Sequence, residues 1–320
     1  MKIKSKITST GSYLPKKILT NTDLEKLVDT SNDWIVERTG INKRHVVAEG
    51  QLTSDLAFEA AKEALANSKI KAEDLEMIIV ATTTPDLTFP ATATTLQAKL
   101  GANKAFAFDV QAVCSGFVYA LNCADNFIKS GQVKNALVIG AESLSRIVDC
   151  TDRNTCVLFG DGAGAVIIEA TTDENSGIIA SSLHSDGTLN SILKTSGGTS
   201  LNQKSGFIEM AGKEVFKHAV DKMVKSVLSS LEKAGLTTKD IDLLIPHQAN
   251  LRILNAVATR LELSEDKVIV TVHDHANTSA ASIPLALDSA NKSGRLKKGD
   301  VVVLEALGGG LTWGSIVLKW

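Results

Sequence analysis

The sequence predicts an α/β protein built from two fused, similar halves, and three features predict it. Apolar runs rich in Ile, Val and Leu alternate with amphipathic stretches of helix length. Continuous apolar strands separated by helices read as parallel strands covered on both faces. An internal repeat relates the two parts of the chain. The composition permits a large divided core, since the 320 residues are 44% hydrophobic and 22% charged.

The repeat is the most informative of these features. The segment from Cys114 through SGFVYALNCADNFIKSG to Gln132 matches that from Asn277 through TSAASIPLALDSANKSG to Arg295. Each is a helix-length run of small and apolar residues that reaches Ser-Gly at the same offset, and each continues into a strand, ALVIGAE or VVVLEAL. Upstream, LAFEAAKEALANSKIKAEDLEMIIVATTT resembles AVDKMVKSVLSSLEKAGLTTKDIDLLIPHQ, an amphipathic helix leading into an apolar strand in both cases. The halves are therefore expected at 1–172 and 173–320, joined near Thr171–Ser176. A pseudo-twofold axis would bring the helix starts at Cys114 and Asn277 together at the centre.

Composition excludes several classes. A net charge of −2 and 4% aromatics offer neither the basic face nor the stacking platforms of a nucleic-acid binder. The N-terminal MKIKSKITSTGSYLP alternates like a strand and lacks the apolar stretch of a signal peptide. No apolar run approaches the roughly 18 residues that span a bilayer. Cys114, Cys123, Cys150 and Cys156 form no CxxC pair and no metal-ligand spacing, so reduced thiols in a soluble cytoplasmic protein are expected.

Cys114 lies between the apolar strand AFAFDVQAV and a helix opened by Ser115-Gly116. A strand-to-helix elbow exposes a nucleophile and aims backbone N–H groups past it. A helix N-terminus stabilises a thiolate by only about 0.3–1 kcal/mol, so an imidazole or another donor is expected to complete the activation. Taken alone, Cys114 could equally be a small buried hydrophobe. His247 follows DLLIP and precedes QANLRI, at the carboxyl end of a buried strand, where open α/β folds gather ligands. Asn277, at the elbow equivalent to Cys114, would also serve as an ordinary N-cap. His273 and His275 have metal-pair spacing but no third ligand, and they are read as structural. Gly308-Gly309-Gly310 lets backbone N–H groups approach a substrate, giving one arm of an oxyanion hole with the Cys114 N–H as the other. Gly160-Asp-Gly-Ala-Gly164 runs into a strand, AVIIEA, and not into the helix that a dinucleotide site needs.

Together DWIVERTGI (33–41), DVQAVCSGF (109–117), DRNTCVLFGDGAGA (152–165), PHQANLRI (246–253), HANTSAASIP (275–284) and GGGLTWG (308–314) resemble the β-ketoacyl-acyl-carrier-protein synthase III family, over essentially the whole chain. The resemblance implies a duplicated thiolase-like fold with α-β-α-β-α layers. It also implies a decarboxylative condensation of a short acyl-CoA with malonyl-acyl carrier protein. Cys114 would take the acyl group, His247 and Asn277 would handle the malonyl thioester, and the N–H groups of Cys114 and Gly309 would hold the oxyanion. Both half-reactions need hydrogen-bond donors and neither metal nor cofactor, acyl-CoA being a substrate.

Binding roles carry over in the same way. Trp34 and Arg153 resemble the clamp on the CoA adenine, Arg38 a phosphate contact, and Gly212 and Asn250 the lining of the pantetheine tunnel. Gln248, Ala249, Asn250, Leu251 and Arg252, with Lys217 and Arg260 nearby, match the carrier-protein docking surface. Phe89, from the partner of an expected homodimer, would bound the acyl pocket. Leu307 departs from the pattern: the resemblance implies phenylalanine there, as a wall beside the sulfur. Ala276 stands where glycine is common. Rivals are a same-fold synthase with a branched, longer or aromatic starter and a non-catalytic subunit that binds CoA or carrier protein. The second is disfavoured by the retained Cys114, His247 and Asn277.

Overall fold

A computed structural model describes residues 3–320 as two mixed sheets with helices between and outside them. In the first half, β1 (Lys4–Tyr13), β2 (Met77–Ala81), β3 (Phe106–Val110), β4 (Asn135–Glu142) and β5 (Gly162–Thr171) lie in the order β1-β5-β4-β2-β3. In the second, β6 (Gly177–Ser185), β7 (Leu243–Pro246), β8 (Val301–Gly308) and β9 (Thr312–Lys319) lie in the order β7-β8-β9-β6. The two orders coincide when β7, β8, β9 and β6 stand for β2, β4, β5 and β1. The counterpart of β3 is reduced to a single parallel bridge between Leu244 and Val268.

The expectation of parallel strands throughout is corrected. β2 runs parallel to β3 and β4, and β7 parallel to β8, but β1, β5, β6 and β9 all pair antiparallel. The reason is connection length. β8 reaches β9 through residues 309–311 alone, and so short a link can only reverse the chain, whereas parallel neighbours need a crossover.

Among the described residues the longer helices are α1 (Asn32–Thr39), which packs against α6, and the six that cover the sheets, α2 (Thr53–Ala66), α3 (Thr92–Leu100), α4 (Gly116–Lys129), α5 (Gly212–Ala234), α6 (Leu251–Arg260) and α7 (Ser282–Lys292). Strand alternation assigns the layers. Met77, Ile79 and Ala81 face α4 and α7, while Ile78 and Val80 face α2 and α3. Val302, Leu304 and Ala306 face the same central helices from the other side, while Val303 and Leu307 face α5 and α6. The layers are thus α2/α3, sheet, α4/α7, sheet, α5/α6.

The repeat extends to polar groups. Asp125 of α4, buried, accepts from Ser5 and pairs with Lys129; Asp288 of α7, buried, accepts from Thr10 and Ser12 and pairs with Lys292. Both helices therefore hold β1 through the same Asp and Lys one turn apart.

The two elbows are also alike. Val113 and Ala276, the residues before Cys114 and Asn277, both have left-handed φ, 49° and 58°. Ala276 combines this with ψ −164°, a combination nearly confined to glycine, and such strain costs about 1–3 kcal/mol. Small residues let the elbows touch. A Cβ on Gly116 would lie 3.4 Å from Ala280 Cβ, and one on Gly140 would overlap the Ala280 carbonyl oxygen. Ala276→Gly is expected to raise stability by about 1 kcal/mol, the strain relief exceeding the chain entropy that glycine adds. Denaturant midpoints for the two proteins at constant slope would measure it.

Candidate active site

Cys114 sits at the elbow between β3 and α4, and only 6% of it is exposed. Burial pushes its thiol up to about 12, with the nearby Glu142 adding to the rise and the Ser279 hydroxyl opposing it. The helix N-terminus is worth about one pKa unit and is outweighed. The resting sulfur is therefore a thiol.

His247, just past β7, donates its backbone N–H to the Glu305 carbonyl at 2.8 Å. It is 2% exposed, and burial holds its imidazole down to about 3, hence neutral. Nδ1 lies 2.7 Å from Ser282 Oγ at the start of α7. The same oxygen receives the Gln248 N–H at 3.4 Å, and a serine proton given to Nδ1 would place that of His247 on Nε2. Asn277 is fixed as firmly. Its N–H donates to Leu158 O and its carbonyl accepts from Gly160 N, both at 3.0 Å, and its Oδ1 accepts from Ser279 N at 3.0 Å. With the oxygen taken, the Nδ2 hydrogens face outward from this turn as donors.

The glycine turn is fastened to the Cys114 elbow. A Cβ at Gly308 would stand 2.6 Å from Cys114 N and 2.8 Å from Ala112 O. Thr312 Oγ1 donates to Ala112 O at 2.9 Å and lies 2.7 Å from Ser115 Oγ. Backbone continuity gathers the groups: β7 leads to His247, its neighbour β8 leads to the glycines, Ser282 joins His247 to the second elbow, and Gly116 meets Ala280 of that elbow. A cavity of about 1080 Å³ adjoins the sulfur, walled by Cys114, Ser279, Thr82, Ser143, Phe159 and Leu193 among others. His247 and Asn277 are not on its wall among the described residues.

The expected ligand contacts divide. Trp34, Arg38 and Arg153 come together, the two guanidinium carbons 5.4 and 4.9 Å from the indole centroid. Gly212 opens α5 and is exposed, as are Lys217, Arg252 and Arg260. Ala249 and Leu251 are half-buried. Asn250 caps α6, its Oδ1 accepting from Ile253 N at 3.0 Å, so only its Nδ2 remains for a ligand. Phe89 is 83% exposed.

One expectation is corrected. Gln248 is fully buried, donating to Pro246 O and Ile269 O and accepting from Thr271 N and Val272 N. With every polar position used inside, it has nothing to offer a docking partner. Leu307 is buried and packs with Val303, Leu311 and Val317, next to the Gly308 that meets the Cys114 elbow. The glycine-rich run at 160–164 has a different use from nucleotide binding. Gly160 N holds Asn277, and the buried Asp161 carboxylate accepts from Val47 N, Ser145 N and Ser145 Oγ.

Sequence reasoning missed Ser279, Ser282 and Glu142. The signal for the serines was present, because the repeat sets the polar TSAAS after Asn277 against the largely apolar SGFVY after Cys114. Among the described residues no group of three or more His, Cys, Asp or Glu is placed to hold a metal ion.

Comparison with known proteins finds similarity over nearly the whole chain. The family model described as 3-oxoacyl-[acyl-carrier-protein (ACP)] synthase III matches residues 108–187, and that of its C-terminal part matches 231–320. A beta-ketoacyl-[acyl-carrier-protein] synthase III of Ehrlichia canis is 57% identical over 316 residues, 99% of each chain. One of Rhodospirillum centenum is 55% identical over 323 residues, the whole of both chains. The crystal structure of 3-oxoacyl-[acyl-carrier-protein] synthase III from Aquifex aeolicus VF5 matches with a TM-score of 0.94 at 49% identity, covering 99% of this chain and 100% of that one.

A buried carboxyl next to this site makes a pH prediction. Glu305, whose oxygens have no hydrogen-bond partner among the described residues, is raised by burial to about 8. An acid raised above its unfolded value stabilises the fold fully below pH 4.5, and that contribution is lost as pH rises towards 8. Glu305→Gln is thus expected to match the parent near pH 4.5 and to exceed it by about 2–4 kcal/mol at pH 8. Denaturant titrations at the two pH values would measure the difference.

Proposed function

This chain belongs to the 3-oxoacyl-[acyl-carrier-protein] synthase III family, and from that premise we propose how its residues carry out the condensation that initiates fatty acid synthesis. It is a condensing acyltransferase. Cys114 accepts the acyl group of an acyl-CoA, forming a thioester and releasing CoA. A malonyl thioester on acyl carrier protein then loses carbon dioxide, and the carbanion attacks the acyl carbon on Cys114.

The two side-chain donors carry this reading. Decarboxylation moves charge onto the malonyl thioester oxygen, and prepositioned N–H groups stabilise such charge by several kcal/mol without reorganising. The Ser282–His247 and Ser279–Asn277 bonds orient the imidazole Nε2–H and the amide Nδ2–H as those donors. A neutral imidazole suits the role, since it donates without taking part as a charged group that the buried site would have to solvate. The N–H groups of Cys114 and Gly309 serve the later tetrahedral oxyanion. No step in this scheme calls for a metal or cofactor.

Trp34 and Arg153 would hold the CoA adenine, Arg38 a phosphate, and Gly212 and the Asn250 Nδ2 the pantetheine arm. The exposed Lys217, Arg252 and Arg260, with Ala249 and Leu251 between them, suit an acidic carrier protein, where rim charges chiefly raise the on-rate. A homodimer is proposed on two observations: β3 is an unpaired sheet edge beginning with the half-exposed Phe106, and Phe89 projects into solvent. The partner's copy of that phenylalanine would then close the acyl cavity. Among the described residues no helix is long and apolar enough to cross a membrane, and a cytoplasmic location is proposed.

Acetyl-CoA is the proposed starter. The size of the cavity favours a longer or branched starter as the second reading, and a partner's Phe89 would narrow it. Intact-protein mass spectrometry with a panel of acyl-CoAs decides between them: the largest adduct is expected with acetyl-CoA, on Cys114, with none on Cys114→Ala. No adduct with any acyl-CoA, or parental condensation by the alanine variant, would overturn the mechanism. Ser282→Ala, which frees the imidazole tautomer, is expected to lower malonyl decarboxylation about 10–100-fold more than it lowers Cys114 acylation.

A further inference from the structure

The arrangement above leaves the Cys114 proton without an acceptor. His247 is not on the wall of the cavity that Cys114 faces, and burial holds its imidazole down to about 3, which makes it a poor acceptor. Glu142, at the end of β4, is a candidate that lies close by. It is fully buried and cradled by the Thr82–Thr84 segment, accepting from Thr83 N at 3.1 Å, Thr83 Oγ1 at 3.0 Å and Thr84 Oγ1 at 2.7 Å. Those threonines wall the cavity that Cys114 faces.

Ser279 shares the cavity wall with Cys114 and with the threonines that cradle Glu142, and its hydroxyl favours the ionised form of each acid. Its backbone has a left-handed φ of 48°, and its N–H is bound to Asn277. The hydroxyl is buried and closes no hydrogen bond of ordinary geometry at rest. A buried unsatisfied hydroxyl is costly, and left-handed serine adds to that cost. Catalytic hydrogen bonds are often long before substrate arrives and tighten in the complex.

We propose that Ser279 and Glu142 form a relay for the Cys114 proton, with Ser279 closing onto the sulfur in the substrate complex and Glu142 acting through it. The inference rests on Cys114 being the acyl acceptor. As the sulfur attacks the acyl-CoA carbonyl, the thiol proton passes to Ser279 Oγ and the serine proton passes to the Glu142 carboxylate. The new S–C bond forms, the bond from the acyl carbon to the CoA sulfur breaks, and the CoA thiolate takes a proton from water. Glu142 stays protonated while the acyl-enzyme lasts. When the carbanion expels the Cys114 thiolate, the proton returns by the same path.

The electrostatics fit a shared proton. Burial holds the Glu142 carboxyl above the usual carboxylate range, and its charge opposes a thiolate at Cys114, so the pair is most stable with one proton between them. Asp86, Asp109, Arg146 and Lys194 also wall the cavity, and His247 lies beyond the second elbow, but the charge that bears on the sulfur is that of Glu142.

The test compares Ser279→Gly and Glu142→Gln with the parent. Glycine suits the left-handed φ and keeps the N–H that holds Asn277, so the first variant decides the matter even if the second does not fold. Cys114 acylation by acetyl-CoA would be followed by intact mass from pH 5.5 to 9, with malonyl-CoA decarboxylation in parallel. The relay predicts that acylation at pH 7 falls at least about tenfold more than decarboxylation in Ser279→Gly. In Glu142→Gln it predicts loss of the acid limb of the acylation profile. Acylation of Ser279→Gly within about twofold of the parent, or equal losses in both half-reactions, would overturn it. Failure of the parent itself to acylate would instead sink the assignment of Cys114.

Discussion

Two helix N-termini meet in the central layer, and the chemistry depends on how close they come. Gly116 and Gly140 give up their side chains so that the Ala280 turn can lie against them, and any Cβ at Gly140 would collide with that turn. The approach sets the nucleophile of one half beside the donors of the other. It also explains the strain on both sides, since Val113 and Ala276 hold left-handed backbone at matching places ahead of Cys114 and Asn277. Strain of this kind persists only where surrounding structure over-determines it. Here the glycine turn, the Thr312 hydroxyl and the Phe159–Asn277 bridge supply that determination.

Burial then decides the electrical character of the site. The thiol is raised and the imidazole lowered, so the resting groups are neutral and work by oriented N–H and O–H dipoles. In water such dipoles would reorganise around a developing charge; in a buried site they are already aimed at it. Supporting serines do the aiming. Ser282 holds the His247 ring through Nδ1, and the Ser279 N–H holds the Asn277 amide by its Oδ1.

The repeat from Cys114 to Gln132 and from Asn277 to Arg295 was legible because it is written in small residues at constant spacing, and it carried the halves and the elbows, while the layers came from the family resemblance. The antiparallel strands were not legible, because a buried antiparallel strand has the same continuous apolar run as a parallel one; only the three-residue link from β8 to β9 betrays it. Gln248 was misassigned for a related reason. A polar side chain next to His247 looks available in sequence, and only the fold shows four backbone groups consuming it. Leu307 was placed by motif position, and the face it occupies follows from register with Trp313. Glu142 drew no notice because a lone acid at a strand end carries no pattern, and its significance comes from the threonines folded around it.

The double Asp–Lys grip on β1 bears on how the protein is made. Thr10 is held by Asp288, 278 positions later, and Ser5 by Asp125. On the ribosome the first strand emerges long before its second anchor, which follows only after 278 more positions have been made. Until then β1 lacks half of its seat, and the central layer that both sheets share is missing one helix. The nascent first half must wait for the last.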